Sequence, residues 1–339
     1  MNILVIQLKR IGDLILTTPA ISALREKFPS ADISLVASAA SRELLPAIRG
    51  VDRTFVAQGK IADAGGWLTV ARRRFDYCFD FTRNDRSAFL TLLSAAKKRI
   101  TADHPRLREK IRALSYNQLV DVPGKQLHTV DYHLALLESV AIRGASQSVR
   151  LDLPERALAH ADRTVAEAGL VADEFLLLHP GSARIEKFWE AERWARIIEV
   201  AAEYDLKCVV TGGKSAMERA HIAEIQAHCR RAFVDLSGKI DLLTLAGIIK
   251  RARALTTVDS APMHLAVATQ TPQVVLFGPT NPLHWAPRFS PALVVQGNQA
   301  APVTEFSPKQ KPIPMNQIST EQVIDAMKAL LSAPSGVSV

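Results

Sequence analysis

Cysteine is scarce in this chain of 339 residues. Cys78, Cys208 and Cys229 are odd in number, far apart and set in or near apolar segments, which fits reduced thiols better than a disulfide framework or a cysteine-built metal site. Long apolar runs are missing too. No stretch of about 18 uncharged apolar residues occurs, so no membrane-spanning helix is expected. The opening Met1-Asn2-Ile3-Leu4-Val5-Ile6 reads directly as a strand, without the charged lead and apolar core of a signal peptide, which predicts a cytoplasmic protein. Aromatic residues are few where the chain is most basic, and Phe75, Tyr77, Phe79, Phe81 and Phe89 mostly follow a strand pattern. Stacking on nucleic-acid bases therefore has little support, and no nucleic-acid partner is expected. Only one glycine, Gly12, follows the first strand, where a dinucleotide fingerprint has three. This argues against a nicotinamide dehydrogenase.

What is present is a globular composition, 48% hydrophobic, and a length that suits two domains with a core each. Apolar runs predict strands near 2–8, 32–37, 53–57 and 76–81 with helices between, then a helix from Asp131 to about Ile142 closed by Arg143-Gly144. After an extended link at Leu151-Asp152-Leu153-Pro154 the alternation restarts. Strands are expected near 175–179, 207–211, 232–236, 254–258 and 273–277, and helices near 190–204, 215–229, 241–251 and 262–269. Residues 296–318 are rich in Pro, Gln and Asn and read as a long loop before a closing helix at 319–332. The pattern implies an α/β protein with two parallel sheets covered by helices, hence two Rossmann-like domains, 1–150 and 151–318, facing each other across a cleft.

Polar residues cluster where strands end. Thr256-Thr257-Val258-Asp259-Ser260-Ala261-Pro262-Met263-His264 breaks an apolar strand and opens a helix, with Ser260 placed to cap and Pro262 suited to the first turn. Backbone N–H groups at such a helix start favour phosphate, and Asp259 and His264 would frame an anion site. Read locally, a histidine such as His264 on an otherwise apolar helix is more often a hydrogen-bonded core residue. A second strand ends in Phe277-Gly278-Pro279-Thr280, and a third in His179-Pro180-Gly181-Ser182, followed by Lys187-Phe188-Trp189. Lys187 is open between a surface lysine and a cation for phosphate. Thr211-Gly212-Gly213 is a further strand-end turn, with Glu218 early in the next helix able to accept from sugar hydroxyls. The first strand ends in Lys9-Arg10-Ile11-Gly12-Asp13, where Gly12 would let the backbone turn closely and Asp13 is either a cap or a general base.

Charge is lopsided. Residues 1–150 hold 23 Lys+Arg against 14 Asp+Glu, whereas 151–339 hold 19 against 20. The excess gathers at Arg72-Arg73-Arg74, Lys97-Lys98-Arg99 and Arg106, Arg108, Lys110 and Arg112. One such run is an ordinary solvated face; three in one domain suggest a field for an anionic partner or a membrane surface. Lys9, Arg10, Arg72, Arg73, Lys97, Lys98 and Arg99 are therefore candidate acceptor-binding residues, expected beside the cleft mouth.

Together, Gly12-Asp13 with Leu16-Thr17-Thr18-Pro19-Ala20, the His179 to Trp189 block, Asp259-Ser260 with Met263-His264, and Phe277-Gly278-Pro279-Thr280 resemble the ADP-heptose:lipopolysaccharide heptosyltransferases, glycosyltransferase family 9. The resemblance spans nearly the whole chain, and Lys187 to Trp194 looks most like the heptosyltransferase III-like branch. It implies the GT-B architecture and an inverting transfer of heptose from ADP-heptose to the lipopolysaccharide inner core, with no cofactor, at the cytoplasmic face of the inner membrane. Carried onto these residues, it makes Asp13 the catalytic base, Lys187 the diphosphate cation, Glu218 a donor ligand, Asp259 with His264 the donor-sugar and phosphate site, and Ile240 an adenine contact. Gly12, Gly181, Ser182, Ser260 and Met263 fall in the same donor-binding motifs. Two departures stand out: Ser260-Ala261 replaces a Thr-Gly common in the family, and Ser182 lies where many members have paired threonines. The chain has no Asp-x-Asp, so no metal clamp is expected, and Lys187 with helix N-termini would carry the positive charge. Another GT-B enzyme with a different sugar nucleotide or surface-glycan acceptor, or a non-catalytic anionic-lipid-binding protein, are the alternatives.

Overall fold

Ile3, Leu4, Val5 and Ile6 lose all exposure because their strand, β1 (Asn2–Gln7), has a parallel neighbour on each side and helices over both faces. Successive residues serve opposite faces: Ile3 and Val5 pack with Ala20, Ile21 and Leu24, while Leu4 and Ile6 pack with Val70 and Leu90. In the computed structural model, which describes residues 1–58, 64–108, 110–299 and 301–332, the chain divides after Asp152 into two such α/β units.

The first unit carries β1, α1 (Ile11–Ile15), α2 (Thr18–Lys27), β2 (Asp32–Ser38), β3 (Arg53–Ala57), α3 (Ala64–Arg72), β4 (Tyr77–Asp80), α4 (Asp85–Leu93), β5 (Lys98–Ala102), α5 (Lys110–Ser115), β6 (Gln118–Val120) and α6 (Thr129–Leu136). Its sheet has the order β3-β2-β1-β4-β5-β6, parallel throughout. The second unit carries α7 (Glu155–Glu167), β7 (Phe175–His179), α8 (Ala191–Ala201), β8 (Lys207–Val210), α9 (Ala216–His228), β9 (Val234–Asp235), α10 (Leu242–Ile249), β10 (Ala254–Val258), α11 (Ala261–Thr269), β11 (Gln273–Phe277), α12 (Pro282–Trp285), β12 (Ala292–Gln296) and α13 (Thr320–Ser332). Its order, β12-β11-β10-β7-β8-β9, is the same doubly wound pattern read from the other side. Both units are therefore Rossmann-like, the α/β class expected of a GT-B chain.

This order decides where ligands go. Strand order reverses between β1 and β4 in one unit and between β7 and β10 in the other, and a doubly wound sheet binds ligands at the carboxyl ends of the strands flanking such a reversal. In the second unit, Trp189 and Trp194 lie edge to face at 5.3 Å, and Trp189 Nε1 donates to Ile318 O at 2.9 Å. Val323, Met327 and Leu330 of α13 join that core, so the closing helix belongs to this unit.

Element ends differ from the sequence reading where packing is thin. The helix expected to reach Ile142 stops as α6 at Leu136, continues as one tight turn, and is ended by Ala141 at φ 58°, before Gly144. The edge strands β6 and β12 were not anticipated: β6 is only three residues with none buried, whereas the apolar run Ala292-Leu293-Val294-Val295 of β12 was passed over inside a polar, proline-rich stretch. The short helices α1 and α12, and α7 with its small alanine face, were likewise not anticipated.

Candidate functional site

In the second unit the switch point is built around a buried ion pair. Lys187 follows β7 and Asp259 follows β10, neighbouring strands, so two distant segments converge. Lys187 Nζ donates to Asp259 Oδ2 at 2.6 Å and to Asp259 O at 2.9 Å, and each side chain is only 8% exposed. That burial excludes an ordinary surface lysine. Two of the ammonium's three protons are spent inside the protein, which leaves one for an anion. Thr280 Oγ1, from the loop after β11, donates to the same Asp259 Oδ2 at 2.5 Å and holds the carboxylate in place.

The helix that begins here is open. Ser260 occupies the N-cap of α11 in extended conformation, but its hydroxyl makes no capping bond and lies 3.4 Å from Thr257 Oγ1. The expected side-chain cap is thus absent; Pro262 has no N–H and Met263 N donates to Ser260 O at 3.2 Å, which leaves Ala261 N in the first turn to favour an anion. His264, one turn in, is buried, and burial pushes its pKa down to about 4. It is neutral at physiological pH, with Nδ1 unpaired among the described residues. Met263 requires a correction: its side chain is fully buried against Val275, Phe277 and Val294, so it is core and presents no side chain to a ligand. Its alternation with His264 on an apolar helix could not be assigned before the helix had a neighbour.

Glu218 is fixed by its own helix. Ser215 caps α9 by accepting from Glu218 N, and its hydroxyl donates back to Glu218 Oε2 at 2.9 Å, while Gly213 N donates to Oε1 at 3.1 Å. The carboxylate fills the space beside Gly181 and Gly213, where an added Cβ would come within 2.4 Å of it. These glycines are needed for close approach, since neither has positive φ. Ser182 is buried and accepts from Arg184 N at 3.3 Å, and Ile240 is half-buried in the loop after β9.

In the first unit, Asp13 sits in α1 just beyond the carboxyl end of β1, at the other switch point. It is 5% exposed. Burial raises its pKa, against the opposing pull of Lys9 and a hydrogen bond from Arg10 N to Oδ2. Oδ1 has no hydrogen-bond partner among the described residues, and Lys9 Nζ stands 3.9 Å away. A buried carboxylate with a free oxygen and a raised pKa is suited to take a proton. Gly12 lies within α1 and has no left-handed φ, so the expected close turn is instead the first turn of a helix. Arg10 is exposed.

Near Asp13, Gln7 and His133 escaped the sequence reading, and Thr17 entered it only as part of a motif. Thr17 Oγ1 donates to Asp13 O at 2.7 Å and accepts from Gln7 Nε2 at 3.0 Å. His133 of α6, fully buried and with its pKa lowered to about 3 by desolvation, brings Nδ1 to 3.2 Å from Leu16 O. As a neutral ring it donates from Nδ1 to that carbonyl, tying α6 to the segment behind Asp13. The only local signal was a polar residue inside an apolar stretch.

The basic runs lie elsewhere. Arg72 ends α3 and Arg73 follows it, both ahead of β4, while Lys97 precedes β5 and Lys98 and Arg99 are its first residues; Asn2, at the start of β1, donates to Arg73 O and to Asp76. In a parallel sheet all strands begin at one end, so these residues occupy the end opposite Asp13. Several are also engaged: Arg73 pairs with Asp32 at 2.6 Å, Lys97 with Asp76 at 2.7 Å, and Arg99 donates to Ser115 O and Ala96 O. Lys98 lies over the Tyr77 ring and Arg72 is exposed. Their expected place beside the cleft mouth, as acceptor-binding residues, is therefore corrected: they lie at the amino ends of the strands, away from the ligand-binding carboxyl ends. The side chains of Arg106, Arg108 and Lys110 lie outside the described residues. Among the described residues no helix is long and apolar enough to cross a membrane, and no three metal-ligating side chains converge.

With this geometry in view, comparisons with known proteins agree on one family. A model of glycosyltransferase family 9 (heptosyltransferase) matches residues 67–312. The chain is 27% identical over 285 residues to an Escherichia coli lipopolysaccharide heptosyltransferase 3, covering 81% of this chain and 83% of that protein. Among solved structures it is similar to a family 9 glycosyl transferase from Veillonella parvula, with 25% identity, 97% of both chains covered and a TM-score of 0.84. E. coli ADP-heptose lps heptosyltransferase II shares the fold at 21% identity, with 98% of both chains covered and a TM-score of 0.78.

Proposed function

The chain belongs to glycosyltransferase family 9 and is a glycosyltransferase, and from that premise we propose that it moves a heptose from ADP-heptose to the inner core of lipopolysaccharide. Asp13 takes the proton from an acceptor hydroxyl, that oxygen attacks the anomeric carbon, and ADP leaves from the opposite face, so the anomeric configuration inverts. The observation that carries this reading is the unpartnered Oδ1 of buried Asp13, a base held ready beside a strand-order reversal.

The second unit supports the donor half. Negative charge grows on the diphosphate as the glycosidic bond breaks, and the remaining Lys187 proton together with the uncapped start of α11 stabilises it. Glu218 receives ribose or sugar hydroxyls through its spare lone pairs, Ile240 packs on the adenine, and Gly181 and Ser182 line the approach. His264, neutral, hydrogen-bonds to phosphate or sugar without needing a proton from solvent. Because the acceptor is lipid-linked, the enzyme works as a peripheral protein at the cytoplasmic face of the inner membrane.

The test is mass spectrometry of enzyme incubated with ADP-heptose and a set of truncated lipopolysaccharide acceptors, with released nucleotide identified in parallel. A product heavier by one heptose together with ADP supports the proposal. Turnover only with another nucleotide sugar would move the chain to a different donor.

A further inference from the structure

With the basic runs at the opposite end of the sheet, the cations whose charge reaches Asp13 are Lys9 and Arg10, and Lys9 in turn feels Arg83. Arg83 follows β4, and β4 is the neighbour of β1 across the reversal, so the two carboxyl ends present Arg83 and Asp13 to the same switch point. The two strand ends are tied together, since Leu8 N donates to Thr82 Oγ1 at 2.7 Å. Arg83 has φ 60°, a left-handed conformation that a side chain disfavours and that a glycine would take freely. The turn is nevertheless held. Buried Asp80 accepts from Thr82 N at 2.8 Å and Arg83 N at 3.1 Å, its other oxygen accepts from Tyr116 at 2.6 Å, and Asn84 caps α4 immediately after.

What this conformation achieves is a placed guanidinium. It lies over the Tyr132 ring, 5.0 Å from the centroid, and meets no carboxylate among the described residues. An arginine stacked on an aromatic face keeps its donor edge free for a planar anion. Two polar atoms on its side have no partner among the described residues, Tyr132 Oη of the ring beneath it and Nε2 of His133, whose ring its charge reaches; Asp13 Oδ1, likewise unpartnered, lies 3.9 Å from Lys9 Nζ. Lys9 lies within electrostatic reach of both Asp13 and Arg83.

We propose that Arg83, together with Lys9, binds an anionic substituent of the acceptor, a phosphate ester or a sugar carboxylate, next to the hydroxyl that Asp13 deprotonates. The proposal rests on the reading of Asp13 as the base. Arg83 would thus choose among acceptors, reading the charged group beside the hydroxyl and setting the hydroxyl's distance from Oδ1.

The test is Arg83→Gly, which relieves the left-handed backbone, so loss of folding is not expected to confuse the result. A de-acylated core oligosaccharide serves as the probe, untreated, phosphatase-treated, carboxyl-reduced, or both. Binding is measured by calorimetry without donor, and transfer by initial rates. The variant is expected to bind the untreated probe about tenfold to a hundredfold more weakly, with KM rising in step, ADP affinity unaltered and Tm no lower. Whichever single treatment shrinks that gap identifies the anion as phosphate or carboxylate, and Arg83→Lys recovers only part of the affinity. A variant within twofold of wild type on the untreated probe, an equal deficit on the doubly treated probe, or no binding by wild type would overturn the proposal. Arg83-dependent binding without transfer from ADP-heptose would instead overturn the donor assignment and leave this site standing.

Discussion

Asp13 and Lys187 are both buried charges, but they stand in opposite relations to stability. Burial raises the Asp13 pKa, so keeping that carboxylate ionised in the fold works against stability at neutral pH. Asp13→Asn should therefore slow transfer on the order of 100- to 10,000-fold while Tm stays equal or rises. Steady-state rates at saturating acceptor and a thermal melt check both halves; a fall in both would make Asp13 a structural residue. Lys187 is instead paired and hydrogen-bonded, with Asp259 depending on it. Lys187→Ala leaves an uncompensated buried carboxylate, and the loss should be about 3–5 kcal/mol by urea unfolding, with weaker ADP binding. If Lys187→Ala with Asp259→Ala is as unstable as the single variant, the pair was not the cause.

At the scale of elements, helix packing in the second unit turns on one small residue. Gly247 lies in α10 against α7, and an added Cβ would come within 2.6 Å of the Ala161 Cβ. A Gly→Ala change inside a helix would by itself gain roughly 0.5–1 kcal/mol from backbone entropy. Overpacking typically costs about 1–3 kcal/mol, and the atom met is a short rigid side chain on a packed helix. The clash should win. Gly247→Ala is expected to lower stability by about 1–2 kcal/mol net, and a melt at or above wild type would show that the helices can separate freely. Gly181 differs, because its neighbour is the far end of the flexible Glu218 side chain, so a substitution there displaces the carboxylate with less effect on stability.

For the molecule as a whole, buried histidines set the acid limit. His133, His179 and His264 have pKa values lowered by burial to about 3, 4 and 4, below the ordinary 6.5. The unfolded chain therefore binds protons that the native one refuses, and stability contributed by the neutral rings is complete above about pH 6.5 and declines as pH falls toward 4 and 3. Chemical denaturation from pH 7.5 to 4.5 should show a progressive loss; a flat profile would mean that the rings are protonated in the fold. Charge distribution makes a second demand. Neutralising Arg72, Arg73, Lys97, Lys98 and Arg99 should leave acceptor kcat/KM within about twofold at 0.15 M salt, because these side chains sit at the opposite end of the sheet and screening acts over roughly 8 Å. Initial rates across a salt series decide it, and a large loss of acceptor efficiency would return the basic runs to the acceptor path. The Arg73–Asp32 pair is partly exposed and its loss should cost at most about 1 kcal/mol, while the exposed Lys97 is not expected to affect stability measurably.

The α/β alternation was legible in the chain itself, because a strand buried on both faces must be apolar along its whole length, as Ile3 to Ile6 and Leu176 to Leu178 are. The strand-end clusters at Asp13, Lys187, Glu218 and Asp259 were legible for the complementary reason: polar residues that interrupt such runs have few other places to be. Tertiary structure alone decided which of them meet. Lys187 and Asp259 are 72 residues apart, and only the β10-β7 pairing places one against the other. It also separated Met263 from His264, adjacent residues that a helix turns toward different neighbours. The basic runs were misplaced because net charge has no direction; the shared direction of the parallel strands assigns them to the end opposite Asp13. Arg83 stayed hidden for the same reason, since its importance lies in a positive φ and a ring beneath it, neither of which is a property of sequence.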